Sequence, residues 1–226
     1  MIEDGDKIAI GVSGGKDSVL LAYCLQKYRR YSPKKFEIIA IHLRMGFPNS
    51  DFSLIDEFLV NENIPCFQVE TTIYPILLKQ ANADGSLKCS LCSKFKKALV
   101  IEKAKQENCN KVAFAHHGDD AIETMFLNAV YGGRVAVFRP KMYMSESKIE
   151  FIRPLIYLRE SEIQAYVKQQ NLPVIASSCP NDGHTQREEM KDFLVTLYEK
   201  FPPAYENFLK MLSNTAQVDL WEKQDY

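Results

Sequence analysis

The chain has 226 residues, the size of one α/β domain with a small appendage, and its 46% hydrophobic residues suffice for a packed core. Its formal charge of −1 excludes a global electropositive field, so any nucleic-acid contact must be a local patch. No apolar run approaches the roughly 20 residues of a membrane span, and the acidic start MIEDGDK has no signal-peptide profile, so a soluble cytoplasmic protein without membrane contact is expected.

In chain order, 8–12 reads as a short buried strand that ends in Ser13-Gly14-Gly15-Lys16-Asp17-Ser18. A helix over about 17–30 follows at once and crosses over to a second β-branched strand at 36–43. A helix at 51–61 and a short strand at 65–69 come next, then an irregular stretch, 71–84, with a helical turn at 74–78. Residues 89–106 read as a third helix, 111–115 as a fourth strand, and Ile122, Met125, Phe126, Ala129 and Val130 as the apolar face of a helix stopped by Tyr131-Gly132-Gly133. A loop or hairpin leads to a fifth strand at 149–152. Capping boxes at Ser161/Gln164 and Thr185/Glu188 start helices running to Gln170 and Phe201, and a last helix spans 204–217. The alternation predicts an α/β fold: a parallel five-stranded sheet with helices on both faces and a helical C-terminal part over about 159–226, in one domain. In such a sheet the loops after strands one and four open on the same carboxyl edge, where these folds bind ligands.

Strand, glycine turn and helix aim backbone N–H groups and a helix N-terminus at an anion. Gly14 and Gly15 permit close approach, Ser13 and Ser18 add hydroxyls, Lys16 a cation, and Asp17 a carboxylate suited to Mg²⁺. A Walker A loop counted from Gly11 would need glycine where Lys16 stands, and a dinucleotide fingerprint would need glycine at Ser13. What remains looks like the pyrophosphate loop of the PP-loop ATPases, which cleave ATP between its α and β phosphates; a glycine-rich turn without a ligand is the bland alternative. The chain around His42 to Met45, at the end of strand two, is where such a sheet presents itself to an adenine.

The fourth strand runs into His116-His117-Gly118-Asp119-Asp120. Two histidines and two carboxylates at a strand end suit charge or metal. Asp119 or Asp120 can share Mg²⁺ with Asp17, and His116 can touch phosphate or adenosine; the bland reading makes Asp119 a helix cap. Lys94, Lys96 and Lys97, with Lys88, Lys103 and Lys105, cluster around the third helix. They form either a solvated face or a phosphate-backbone contact. Arg187 can reach phosphate or base, or be a surface arginine.

Six cysteines in such a chain do not suggest a disulfide framework. Cys24, Cys66 and Cys109 read as structural. Cys89-Ser90-Leu91-Cys92 sits at a helix start, where the helix end and Lys88 favour thiolates. Cys179 is the natural third ligand. Three thiolates suit an iron–sulfur cluster with one open iron, zinc with His184 as fourth ligand, or a redox pair with Cys179 as persulfide carrier.

The chain resembles the tRNA 2-thiocytidine synthetase (TtcA) group of PP-loop enzymes over nearly its full length. The matching pieces are SGGKDS (13–18), CSLC (89–92), HHGDDAIETMFLN (116–128), YGG (131–133), IRPLIY (152–157) and the region from Cys179 to Arg187. Gly118 stands where the family carries Arg after the histidine pair. The resemblance implies an adenine nucleotide alpha-hydrolase-like fold and ATP-dependent sulfur transfer to cytidine in the tRNA anticodon loop. In that scheme residues 13–18 bind ATP, with Lys16, Asp17 and Asp120 at the reacting phosphate. The resemblance also implies that Cys89, Cys92 and Cys179 hold a [4Fe-4S] cluster, that a donor such as a cysteine desulfurase supplies sulfur, and that the enzyme is a homodimer. A lysidine-synthetase-like ligase and a zinc-stapled nucleotide-binding module are the alternatives.

Overall fold

In the computed structural model, residues 1–48, 50–183 and 185–220 are described. Two compact units emerge: Met1–His117 with Arg139–His184, and Gly118–Phe138 with Thr185–Tyr226. None of the described helices is long and apolar enough to cross a membrane.

The first unit is built on a six-stranded sheet in the order β3-β2-β1-β4-β6-β5. Its strands are β1 (Lys7–Gly11), β2 (Glu37–Arg44), β3 (Cys66–Glu70), β4 (Lys111–Ala113), β5 (Lys141–Met144) and β6 (Ile149–Ile152). The five strands expected from the sequence all run parallel, and β5 adds an antiparallel edge by pairing with β6. The apolar runs carry no alternation because both faces are covered. Ile8, Ile10, Ile38 and Ala40 face a core shared with α1 (Lys16–Tyr31), α2 (Ser53–Asn61) and α6 (Glu160–Gln169). Ala9, Ile39, Ile41, Val112 and Phe151 face the opposite core, where α4 (Cys89–Gln106) contributes Val100 and Ala104. A smaller cluster of Met45, Ile73, Leu77 and Leu87 packs α3 (Ile73–Lys79) near the head of α4.

The second unit is helical: α5 (Gly118–Gly132), α7 (Gln186–Lys200) and α8 (Ala204–Met211), with a short 3-10 turn at Thr215–Gln217. Ile122, Met190, Leu194 and Tyr205 form its core, flanked by the edge-on pair Phe126–Phe208.

Several expected boundaries move. The turn expected at 74–78 is a full helix, α3. The stretch before Lys148 is a hairpin, closed by a left-handed Lys148 at φ 56°. The helix expected from Ser161 starts one residue earlier. Its capping contact is the Glu162 carboxylate accepting the Arg159 N–H at 2.7 Å, in place of the Ser161/Gln164 box. The Thr185/Glu188 box forms, with each side chain accepting the other's backbone N–H. β4 stops at Ala113 instead of 115, and α8 at Met211 instead of 217.

Candidate active site

β1 delivers the glycine loop to the carboxyl edge of the sheet. The loop is braced by its own hydroxyls: Ser13 N–H donates to Ser18 Oγ at 3.1 Å, and Ser18 Oγ donates to the Gly15 carbonyl at 2.9 Å. Gly14 sits at φ +89°, where a residue with a β-carbon would be strained; that carbon would meet Ile175 and Ile55 at van der Waals distance, 3.4–3.5 Å. Gly15 caps α1 with no side-chain hydrogen bond; the Ser18 N–H turns back to the Gly15 carbonyl at 3.1 Å, so the amides available to an anion are the leading ones, of Lys16 and Asp17. The helix start therefore has the features of a phosphate cradle.

Lys16 Nζ lies 3.1 Å from Asp17 Oδ2 and 2.8 Å from Glu160 Oε1. Burial pulls the Lys16 pKa down, but the Glu160 hydrogen bond and the charges of Asp17 and Glu160 outweigh it and hold the ammonium above its ordinary value. Asp17 Oδ1 is buried and accepts no hydrogen bond from the described residues; His117 Nε2 is 3.8 Å away. A buried carboxylate oxygen of this kind fits a cation, so Asp17 can hold Mg²⁺.

The structure puts His117, only 4% exposed, beside Asp17; His116 is half-buried with its ring 5.9 Å from that of Phe114. His42 lies within β2, which runs on to Arg44, so it does not follow the strand. It is buried, its Nδ1–H donates to the Val12 carbonyl at 2.8 Å, and its ring packs against that of Phe52 at a tilt of 56°. That bond fixes the neutral tautomer, and burial holds the His42 pKa below its ordinary value. In this arrangement His42 braces the end of β1.

In the second unit, Asp120 Oδ1 lies 3.7 Å from Arg187 Nη1. The same nitrogen donates to Glu123 Oε2 at 2.9 Å, and Nη2 donates to Thr124 Oγ1 at 3.2 Å. Glu123 is buried, so Arg187 serves first as its counter-ion. Lys94, Lys96 and Lys97 are exposed on α4.

Cys89 opens α4, exposed, with half-buried Cys92 one turn on. Cys179, half-buried, lies in the segment between α6 and α7. Burial pushes the Cys92 thiol pKa up; Lys96 opposes this, while Cys179 and Cys89 reinforce it. The expectation that the helix end and Lys88 favour thiolate fails at Cys92, where desolvation wins. Among the described residues no three His, Cys, Asp or Glu side chains are gathered tightly enough for a single metal ion. His184, the fourth zinc ligand expected from the sequence, lies outside the described residues.

Glu160 and Asn181 were not expected from the sequence to serve the site. Asn181 Oδ1 accepts the Leu87 N–H at 3.0 Å, and Asn181 Nδ2 donates to the Leu87 carbonyl at 2.7 Å. Upstream in the same segment, Ile175 N–H donates to the Gly14 carbonyl at 2.9 Å and Ser178 Oγ pairs with Ser50 Oγ at 2.8 Å.

Comparison with known proteins gives a consistent placement. Residues 3–197 match the PP-loop domain family. The chain is 35% identical to the tRNA-cytidine(32) 2-sulfurtransferase of Pelobacter propionicus over 99% of its own length and 84% of that protein. It is 36% identical to the enzyme of the same name from Geotalea uraniireducens, over 99% and 89%. In fold it is similar to the U34-tRNA thiolase NcsA from Methanococcus maripaludis, a structure determined with its [4Fe-4S] cluster. The TM-score is 0.75 at 21% identity, covering 96% of this chain and 74% of that one. The chain belongs to the PP-loop domain family, in the group of the tRNA-cytidine(32) 2-sulfurtransferases, and is a sulfurtransferase enzyme of that family.

Proposed function

We propose that the protein thiolates a tRNA nucleoside, cytidine at C2 in the anticodon loop, by adenylating the base and then transferring sulfur from a group held by Cys89, Cys92 and Cys179. The observation that carries this reading is the segment 175–181. It is bonded to the nucleotide loop at Gly14 and to the CxxC approach at Leu87, so one stretch of chain supports both halves of the chemistry.

ATP seats its phosphates on residues 13–18, with the adenine against the end of β2. The pyrimidine O2 attacks the α-phosphate, pyrophosphate leaves, and the base is left O-adenylated. Lys16 and the open amides of α1 stabilise the charge that gathers on the departing phosphates. Asp17 is the ligand for Mg²⁺, which would neutralise phosphate charge. A [4Fe-4S] cluster on the three cysteines would supply the sulfide that replaces O2, with AMP as the leaving group. A donor such as a cysteine desulfurase replenishes the sulfur. Lys94, Lys96 and Lys97 bind the tRNA backbone, and the enzyme works as a cytoplasmic homodimer.

Anaerobic reconstitution with iron and sulfide, followed by mass spectrometry of tRNA nucleosides, tests the scheme. The expected product is 2-thiocytidine, with pyrophosphate release abolished in Lys16→Ala and Asp17→Ala. Turnover that survives Cys89→Ser, Cys92→Ser and Cys179→Ser together would replace thiolation by a cluster-free ligase of the lysidine-synthetase type.

A further inference from the structure

The three cysteines come from two places far apart in the chain, and something must bring them into register before any metal arrives. The side chain that joins the two places is Asn181. It follows Cys179 by two residues, and its partner Leu87 precedes Cys89 by two. Both ends of the carboxamide are used: Oδ1 takes the Leu87 N–H and Nδ2 gives to the Leu87 carbonyl, at 3.0 and 2.7 Å. One N–H and one C=O as partners fix which end is which. Nδ2 also lies 3.5 Å from Cys89 Sγ, within range of an N–H···S contact. Leu87 itself is buried in the Met45–Ile73–Leu77 cluster, so the clamp is anchored to core.

The Cys179 side of the joint is stiffened as well. Ser177 Oγ accepts the Cys179 N–H at 3.2 Å, and the Asp182 N–H returns to the Cys179 carbonyl at 3.0 Å. Every residue in this set belongs to the first unit.

We propose that Asn181 is the positioning residue of the three-cysteine site: its carboxamide clamp on Leu87 sets the spacing between Cys179 and Cys89 in the metal-free chain, and its Nδ2–H reaches the Cys89 sulfur. The cluster-tuning part of this inference rests on the sulfur-transfer reading above; the spacing part does not. Aspartate at 181 would keep the acceptor for the Leu87 N–H but set a carboxylate against the Leu87 carbonyl. Alanine would lose both bonds.

The test uses the full-length chain, stripped of metal by chelator, with Cys92→Ser introduced so that only Cys89 and Cys179 of the trio remain. Diamide oxidises the two thiols to a disulfide and is itself reduced to the hydrazine, and mass spectrometry follows the Cys89–Cys179 link. Asn181→Ala should slow its formation about tenfold, as the loss of one or two hydrogen bonds predicts. Asn181→Asp should slow it by a smaller factor. Thermal unfolding and ATP binding, measured on the same preparations, show whether each variant is folded. A rate within about twofold of the parent in a folded Asn181→Ala chain would overturn the proposal, since a merely structural role would not link the rate to these two atoms.

In a second arm, with Cys92 restored, the reconstituted Asn181→Ala protein should hold less iron per chain and show a lower cluster reduction potential, because an N–H···S donor favours the more reduced cluster. If the parent protein takes up no iron, the sulfur-transfer reading fails. The cross-linking result would stand regardless, as it is obtained without metal.

Discussion

Lys16 Nζ lies 2.8 Å from Glu160 Oε1, so the cation of the nucleotide loop is held by the first turn of a helix that begins beyond β6. A phosphate group arriving at the loop must compete with that carboxylate. Replacing Glu160 by Gln removes a negative charge from the cradle and frees the ammonium. ATP should then bind about three- to fivefold more tightly, the size expected for a partly solvated ion pair. Titration calorimetry measures it; weaker binding would show instead that Glu160 aims Lys16 at the phosphate.

Gly14→Ala is expected to be severe. The residue would carry a side chain at φ +89°, with Ile175 and Ile55 already at van der Waals contact. We expect about 1–2 kcal/mol of lost stability in chemical denaturation. ATP affinity should fall further than that, because the Gly14 carbonyl must also keep its bond to Ile175. An unchanged denaturation midpoint would refute the strain argument.

Lys94, Lys96 and Lys97 are exposed on α4, one turn beyond the CxxC pair. If they contact the tRNA backbone, changing all three to Gln should weaken binding at every sequence and flatten the log–log salt dependence by about one unit per lysine. ATP affinity should not change. A slope equal to the parent's would make them a solvated face.

Lys111 and Asp6 form a buried pair at 2.8 Å, each about 5% exposed, with Glu150 at 3.3 Å from the same ammonium. Burial pushes the Asp6 pKa up, but the Lys111 and Asn110 bonds prevail and hold it below 3.8. A carboxyl depressed on folding contributes stability above its unfolded pKa and loses it as pH falls through the folded value. Stability should therefore drop below about pH 4, and Asp6→Asn should remove part of that slope. At neutral pH Asp6→Ala should cost about 3 kcal/mol, because Lys111 loses its nearest carboxylate and keeps a buried charge with Glu150 and the Met1 carbonyl as its remaining partners. Denaturant melts of parent and variant across pH 2–7 check both statements.

What could be read in advance follows from how local the signal is. The strands through Ile8–Ile10 and Ile38–Ile41 declare themselves because a sheet covered on both faces needs unbroken apolar runs. The loop at 13–18 is contiguous, so its residue types and order were visible together. β5 was legible only as one of two options, a loop or a hairpin: KMYM is an edge strand with one side open, and its pairing depends on β6, which follows it. α3 was hidden by Pro75, which reads as a breaker but sits in the first turn, where its missing N–H costs nothing. Ser161 masked the true start of α6, since the carboxylate that closes the turn is Glu162. The contacts of Glu160 and Asn181 left almost no local trace. Each reaches across the chain to a partner that only the folded topology brings near. The one usable hint was an acidic residue in the first turn of a helix after a strand's carboxyl end, where the ligand edge of the sheet lies.

The bond between Gly14 and Ile175 also has a bearing on how the protein is made. The nucleotide loop leaves the ribosome long before the amide that steadies it, which lies beyond β6 and α6 in the chain. Until then the loop lacks its distant brace, so a nascent chain should gain its grip on ATP late in translation rather than as soon as β1 and α1 have appeared.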